Sequence, residues 1–259
     1  MTEHGTWVYA VARGLDPGLL AELTGVADET VRPIGEGGLT AVAGSVPLAT
    51  FGEAALRRNL EDLDWLAGVA RAHDAVVTAL ARSGPAAPFR LATVYFDDAR
   101  VSSLLRDQAH GLHEALDRIT GRSEWGVKAV LDVSRLPEHT PAGAGPEPSG
   151  AGAAYLRRKR EQRTARELVE RLAVEWAEEI HTALAALAVD ARHHRPQSSA
   201  LAGTSSPMIL NAAYLVDDGA ADEFARAVHG QGERREKEVT LELTGPWPAY
   251  SFASIGGTR

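Results

Sequence analysis

Cysteine is absent from the chain, which excludes disulfides, thiolate metal sites and cysteine nucleophiles together and is compatible with a reducing compartment. Long apolar runs are lacking too. The N-terminal MTEHGTWVYAVARG has no basic start, and its apolar run is too short for a membrane span or for the hydrophobic segment of a signal peptide. A cytoplasmic protein with no membrane partner is expected. Positive charge is in the minority, with 27 Lys and Arg against 35 Asp and Glu and a formal net charge of −8, which disfavours a general nucleic-acid binder. Phosphate loops are missing as well: GEGG and the C-terminal SIGGTR have neither the lysine nor the helix that such a site uses. GAGPEP is not a dinucleotide fingerprint, since proline follows its second glycine, and no G-x-S-x-G elbow occurs. No cofactor, metal or catalytic residue is expected.

What is present is an ordinary globular composition, 44% hydrophobic and 24% charged over 259 residues, long enough for two cores. The organising stretch runs from Pro88 to Val133. PFRLATVYF reads as a strand through Phe96; the segment beyond it has helical spacing at Val101, Leu104, Leu105, Leu112, Leu116 and Ile119 and stops at Gly121; EWGVKAVLDV alternates again.

On its N-terminal side, TWVYAVA reads as a central strand covered on both faces. Asp16 and Pro17 then start a short helix, and two strands, about Thr30 to Ile34 and Leu39 to Ala43, flank the GEGG turn. A helix from Glu53 to Arg82, about 45 Å long at 1.5 Å per residue, with a bend possible at Gly68, leads into the strand at Pro88. The order is β-α-β-β-α-β, that of ferredoxin-like sheets, in which the first and third strands are central.

The second half repeats this order: a strand from Trp125 to Val133, a helix from Ala153 to Ala191, strands at Gln197 to Ala202 and Met208 to Val216, a helix capped by Asp218 and running to His229, and an edge strand EVTLELTG with Val239, Leu241 and Leu243 inward. HGQGERRE is read as a flexible connection. The fold class expected is therefore α+β, two ferredoxin-like (βαββαβ-type) units joined by a linker helix. Its domains are 1–96, a connecting helix 97–121, and 122–259, with a mobile Pro/Gly loop at 137–152.

Candidate sites are few. His110 and His113 lie three apart on the linker helix, and His193-His194 sits at a helix end; solvated surface and favourable contact with the last carbonyls explain them better than a metal. His73 beside an apolar stripe reads as a core histidine bonded to a carbonyl or to Asn59. Arg90 is expected to pair with Glu61 or Asp62 of the long helix. The basic run RRKREQRTAR, from Arg157 and Arg158 to Arg166, is either a solvated helix face laced by i,i+4 pairs such as Arg163 with Glu167, or a partner site. In LTGPWPAYSF, Pro246 and Pro248 end the last strand at about Gly245, leaving Trp247, Tyr250 and Phe252 either to seal the junction of the two units or to form a surface for another chain.

Several segments together resemble the gas vesicle protein F/L family over almost the whole length: LRRNLEDLDWLAGVARAHDAVV, PFRLATVY, EWGVKAVLDV, GAAYLRRKR, MILNAAYLV and LTGPWPAYSF, the last two the most specific. PFRLATVY departs from the family's usual PLRFGTVF-like form, and the loop after Pro137 is longer than needed. The resemblance implies a non-enzymatic accessory protein required for gas vesicle formation. Its implied partners are the small hydrophobic shell subunit and other gas vesicle accessory proteins, with location in the cytoplasm or on the vesicle; retention in the finished shell and oligomeric state are left open. The alternative is a small-molecule sensor or enzyme with a site between the two α+β domains, recognisable by a cleft gathering Arg90, His73 and Asn59.

Overall fold

The computed structural model describes residues 3–136, 151–194, 206–235 and 237–253, and of residues 17, 151–158, 161, 162 and 165 the backbone alone. The chain divides into two units, one formed by Met1–Glu124 with Gly245–Arg259 and the other by Trp125–Thr244. The expected boundaries were 96/97 and 121/122 with a separate connecting helix. Instead the helical segment belongs to the first unit, and so does the C-terminal tail.

The first unit contains β1 (His4–Ala12), α1 (Pro17–Leu20), β2 (Arg32–Glu36), β3 (Leu39–Pro47), α2 (Leu48–Phe51), α3 (Glu53–Asn59), α4 (Leu63–Ser83), β4 (Ala86–Pro88), β5 (Val94–Tyr95), α5 (Asp98–Asp107) and α6 (Ala109–Ile119). Its sheet has the order β2-β3-β1-β4, with β5 also paired to β1 and every pairing antiparallel. This is the ferredoxin-like order, with the first and third strands central as expected. β1 is buried from Gly5 to Ala12 because both of its faces are covered. Trp7 and Tyr9 face α4, where both rings meet His73, while Thr6 on the other face donates to Asp98 of α5 at 2.8 Å. The continuous apolar run of β1 is thus the consequence of two helical layers. Gly37 and Gly38, at φ 59° and 79°, supply the two positive dihedrals of a tight two-residue hairpin turn between β2 and β3.

Three predicted elements of this unit are interrupted. The rod expected from Glu53 to Arg82 is broken, not at Gly68 but before Leu63, where the Asp62 carboxylate accepts from the amides of Asp64 (3.0 Å) and Trp65 (3.1 Å) and caps a new helix. The strand expected from Pro88 to Phe96 is two short strands separated by a loop in which Ala92 takes φ 66°. β4 pairs with Ala10–Ala12 and β5 with Thr6–Trp7, and the register of β1 shifts between Val8 and Ala10, so the loop and the bulge lie opposite one another. The linker segment is likewise two helices that meet at Gln108, closed by Gly121 at φ 69° as expected.

The second unit contains α7 (Ala151–Ala185), β7 (Asp190–His193), β8 (Met208–Asp217) and α8 (Ala221–Arg234), together with most of β6 (Arg122–Leu131) and β9 (Val239–Trp247), whose outer ends belong to the first unit. The sheet order is β7-β8-β6-β9, the same topology again, with β9 at an edge. Val127, Ala129 and Leu131 of β6, Leu210, Ala212, Tyr214 and Val216 of β8, and Val239 of β9 pack with Ile180 and Leu184 of α7 and with Phe224 and Val228 of α8.

Here too the boundaries move. α7 stops at Ala185 rather than Ala191, and the first strand of the pair is Asp190–His193; the expected strand at 197–202 lies outside the described residues, as does 137–150 of the expected loop, while Ala151 and Gly152 are helical. Asp218 begins a 3-10 turn and does not cap α8, which runs on to Arg234 through the glycines of HGQGER. Arg235 holds that end down, paired with Glu179 and lying over the Trp176 ring at 5.7 Å.

Candidate interaction surface

The three aromatic residues of the C-terminal segment part company. β9 does not end at Gly245 but continues through Pro246 to Trp247. A proline is tolerated there because the strand lies at a sheet edge, where a missing N–H need not break the ladder. From Gly245 onward the chain belongs to the first unit. Pro248, Ala249, Phe252 and Ala253 are buried, Phe252 at 2% exposure. Tyr250 packs against the core around Trp7 and His73, its hydroxyl donating to Asp74 at 3.4 Å; burial, then the Asp74 and Glu124 carboxylates, push the phenol up. The Glu124 carboxylate accepts from the Ser251 amide (2.7 Å) and the Ser251 hydroxyl (2.6 Å). Trp247 is the exception, 48% exposed. Tyr250 and Phe252 are therefore core residues of the first unit, and Trp247 alone of the three is on the surface. Of Arg157 and Arg158 only the backbone is described, in the first turns of α7.

His73, Asn59 and Arg90, which would have marked a small-molecule site, are not brought together among the described residues. His73 is 2% exposed; its Nδ1 accepts from the Trp7 indole N–H at 3.1 Å, which leaves Nε2 protonated to donate to the Phe89 carbonyl at 3.2 Å. Burial pushes this imidazole down to about 4, against the opposing pull of the Phe89 carbonyl and Asp74. A neutral, doubly bonded core histidine is what the apolar stripe implied. Asn59 donates instead to the Thr50 carbonyl at 3.1 Å. Arg90 is exposed in the loop after β4, and among the described residues no ion pair joins it to Glu61 or Asp62, because Asp62 is occupied as a cap and Arg90 is not in a strand.

The remaining histidines are ordinary in the first unit and paired in the second. His110 is 91% exposed beside Glu114, as expected of a solvated helix face. His193 is not at a helix end but in β7, its ring 4.1 Å from that of His181, whose Nδ1 lies 3.0 Å from the Tyr214 hydroxyl. Among the described residues no three His, Asp or Glu side chains are placed to hold a metal ion, and no helix is long and apolar enough to cross a membrane.

In the second unit, Leu241 and Leu243 of the edge strand and Ala225, Val228 and Gly232 of α8 line an open groove of about 420 Å³, rimmed by the His229–Glu233 pair. Sequence reasoning missed this groove, although the inward alternation of Val239, Leu241 and Leu243 was visible.

Two units of β-α-β-β-α-β order, each with an antiparallel four-strand path, define an α+β protein. The family model for gas vesicle synthesis protein GvpL/GvpF matches residues 5–254, and the chain belongs to that family. It is 43% identical over 256 residues to gas vesicle protein L of Streptomyces sp. (strain CB03234), covering 98% of this chain and 94% of that protein. Gas vesicle protein F1 of Halobacterium salinarum is 42% identical over 48 residues, 18% of this chain and 22% of that one. The crystal structure of GvpF from Anabaena sp. PCC7120 superposes with a TM-score of 0.72 at 17% identity, covering 99% of this chain and 98% of that one. That of GvpF from Microcystis aeruginosa gives 0.70 at 18%, covering 97% and 99%. At these identities the structures speak for the fold.

Proposed function

We propose that this protein is a non-enzymatic accessory factor of gas vesicle formation, acting in the cytoplasm and at the vesicle, that binds the small hydrophobic shell subunit during assembly alongside other gas vesicle accessory proteins. The observation that supports this reading best is Trp247. The chain buries Pro248, Ala249 and Phe252 immediately beyond it yet leaves the indole 48% exposed at the end of an edge strand. A rigid aromatic side chain held on a sheet edge is the kind of anchor on which binding energy concentrates. The acidic balance of the chain, −8, suits an escort for an apolar subunit by keeping the complex dispersed.

Co-expression of shell subunit with wild type, Trp247→Ala and Phe252→Ala tests this. Trp247→Ala melts within about 0.5 kcal/mol of wild type, since a surface truncation opens no cavity, and no longer retains the shell subunit in a pull-down. Wild-type retention by a stably folded Trp247→Ala refutes the assignment of Trp247, and failure of wild type itself to retain the subunit refutes the proposed partner.

A further inference from the structure

α7 spans 35 residues from Ala151 to Ala185, but within it only Ile180 and Leu184 are fully buried among the described residues. Val169, Ala173, Trp176 and Ala177 rest partly on the core. The face opposite Val169 carries Arg160, Thr164, Glu167, Arg171, Val174 and Glu178, spaced at threes and fours and all exposed, Val174 at 71%. Arg163 and Glu175 flank this stripe, also exposed. The charges on it are antisymmetric about Val169. Nine residues before stands Arg160 and nine after Glu178; six before, Arg163 and six after, Glu175; two before, Glu167 and two after, Arg171.

We infer that this face of α7 docks on the same face of a second copy of the chain, the two helices antiparallel with their Val169 residues at one level. In that arrangement Arg160 of each copy reaches the level of Glu178 of the other, Arg163 that of Glu175, and Glu167 that of Arg171; Thr164 meets Val174, covering the exposed valine. Within one helix the same charges are poorly placed. Arg160 and Arg163 repel across one turn, as do Glu175 and Glu178, and the ion pair formed on this face among the described residues, Arg163 to Glu167 at 2.8 Å, involves neither Glu175 nor Glu178. The acidic end also borders an open groove of about 610 Å³ between α7 and α8, lined by Glu175, Glu178, Arg234 and Glu179, the last paired with Arg235. It has room for the guanidinium groups of an incoming basic half. The contact is narrow and polar, so the association is weak and is weakened by salt.

The test is sedimentation velocity at about 0.05 M and about 1 M salt with wild type, with Arg160→Glu/Arg163→Glu, with Glu175→Arg/Glu178→Arg, and with an equimolar mixture of the two variants, helicity being checked by circular dichroism. Expected are a wild-type dimer at low salt that dissociates at high salt, two monomeric variants of unchanged helicity, and recovery of a one-to-one dimer on mixing. A wild type that stays monomeric at about 0.1 mM and low salt, or variants that dimerise like wild type, overturns the inference. So does a monomeric wild type that retains a DNA oligonucleotide through Arg160 and Arg163, since the face then serves a polyanion.

Discussion

His73 makes the stability of the first unit depend on pH in a way that can be computed before it is measured. The imidazole is 2% exposed, neutral, and bonded at both nitrogens, and burial pushes its pKa down from 6.5 to about 4. Above pH 6.5 the ring is neutral folded and unfolded, and it contributes no pH dependence. Between 6.5 and 4 the unfolded chain takes up a proton that the folded chain refuses, so stability falls as pH falls; below 4 both states are charged and the loss is complete. A shift of this size corresponds to about 3 kcal/mol in full, and roughly 2.5 kcal/mol of it is lost by about pH 4.5. The perturbation is His73→Gln, whose amide can accept from the Trp7 indole and donate to the Phe89 carbonyl but does not titrate in this range. Urea unfolding of both proteins between about pH 7.5 and 4.5 isolates the histidine, because all other titrating groups are shared. The gap between the two should close, or reverse in favour of the glutamine, by about 2.5 kcal/mol on acidification. Parallel loss in both proteins would falsify the assignment of a neutral, proton-refusing His73.

Phe252→Ala removes a ring at 2% exposure and should cost about 3 to 5 kcal/mol, read as a lowered urea midpoint at unchanged slope. Glu124→Ala takes the acceptor from both Ser251 donors, a loss of about 1.5 to 3 kcal/mol, and should expose the C-terminal segment to a protease well before the rest of the chain is cut. Gly44→Ala would set a Cβ 1.9 Å from a Glu29 oxygen, and Glu29 is held by the Tyr9 hydroxyl (2.5 Å) and the Ala27 amide (2.7 Å), so the carboxylate cannot swing aside freely. Its melting temperature should drop by several degrees, and an unchanged value would show that this network yields.

The features legible in the sequence are those decided locally. The double cover of β1 was written in the unbroken apolarity of TWVYAVA, the β2–β3 turn in Gly37-Gly38, and the edge position of β9 in the alternation of Val239, Leu241 and Leu243 with Thr240 and Glu242. The misplaced features depend on partners distant in sequence or on competing local chemistry. Helical periodicity places Asp62 inside one long helix, where it is a candidate partner for Arg90, whereas its carboxylate caps a new helix, a choice that periodicity alone does not register. PFRLATVY has the composition of a strand, but its middle is displaced where β1 itself bulges, and Arg90 leaves the sheet with it. The glycines of HGQGER weaken a helix by propensity, yet Phe224 and Val228 inside and Arg235 on Glu179 and Trp176 outweigh them.

The hardest feature to read was the destination of the C-terminal segment, and it explains which candidate residues remain at the surface. The second unit, Trp125–Thr244, is inserted into the first, and the chain enters and leaves it through β6 and β9, neighbouring strands of one sheet. Glu124, the last residue before the insertion, takes both donors of Ser251 after it, so the two ends of the first unit are tied together by one carboxylate. Pro248 to Phe252 are consequently committed to closing a core, whatever their resemblance to an aromatic binding tail. Composition marks Trp247, Tyr250 and Phe252 alike as residues that demand burial. The topology provides burial for those beyond the end of β9 and none for Trp247, which is the last residue of the strand. A contact that depends on this segment should therefore depend on its first aromatic residue, and changes at the other two should act on it only through the stability of the first unit.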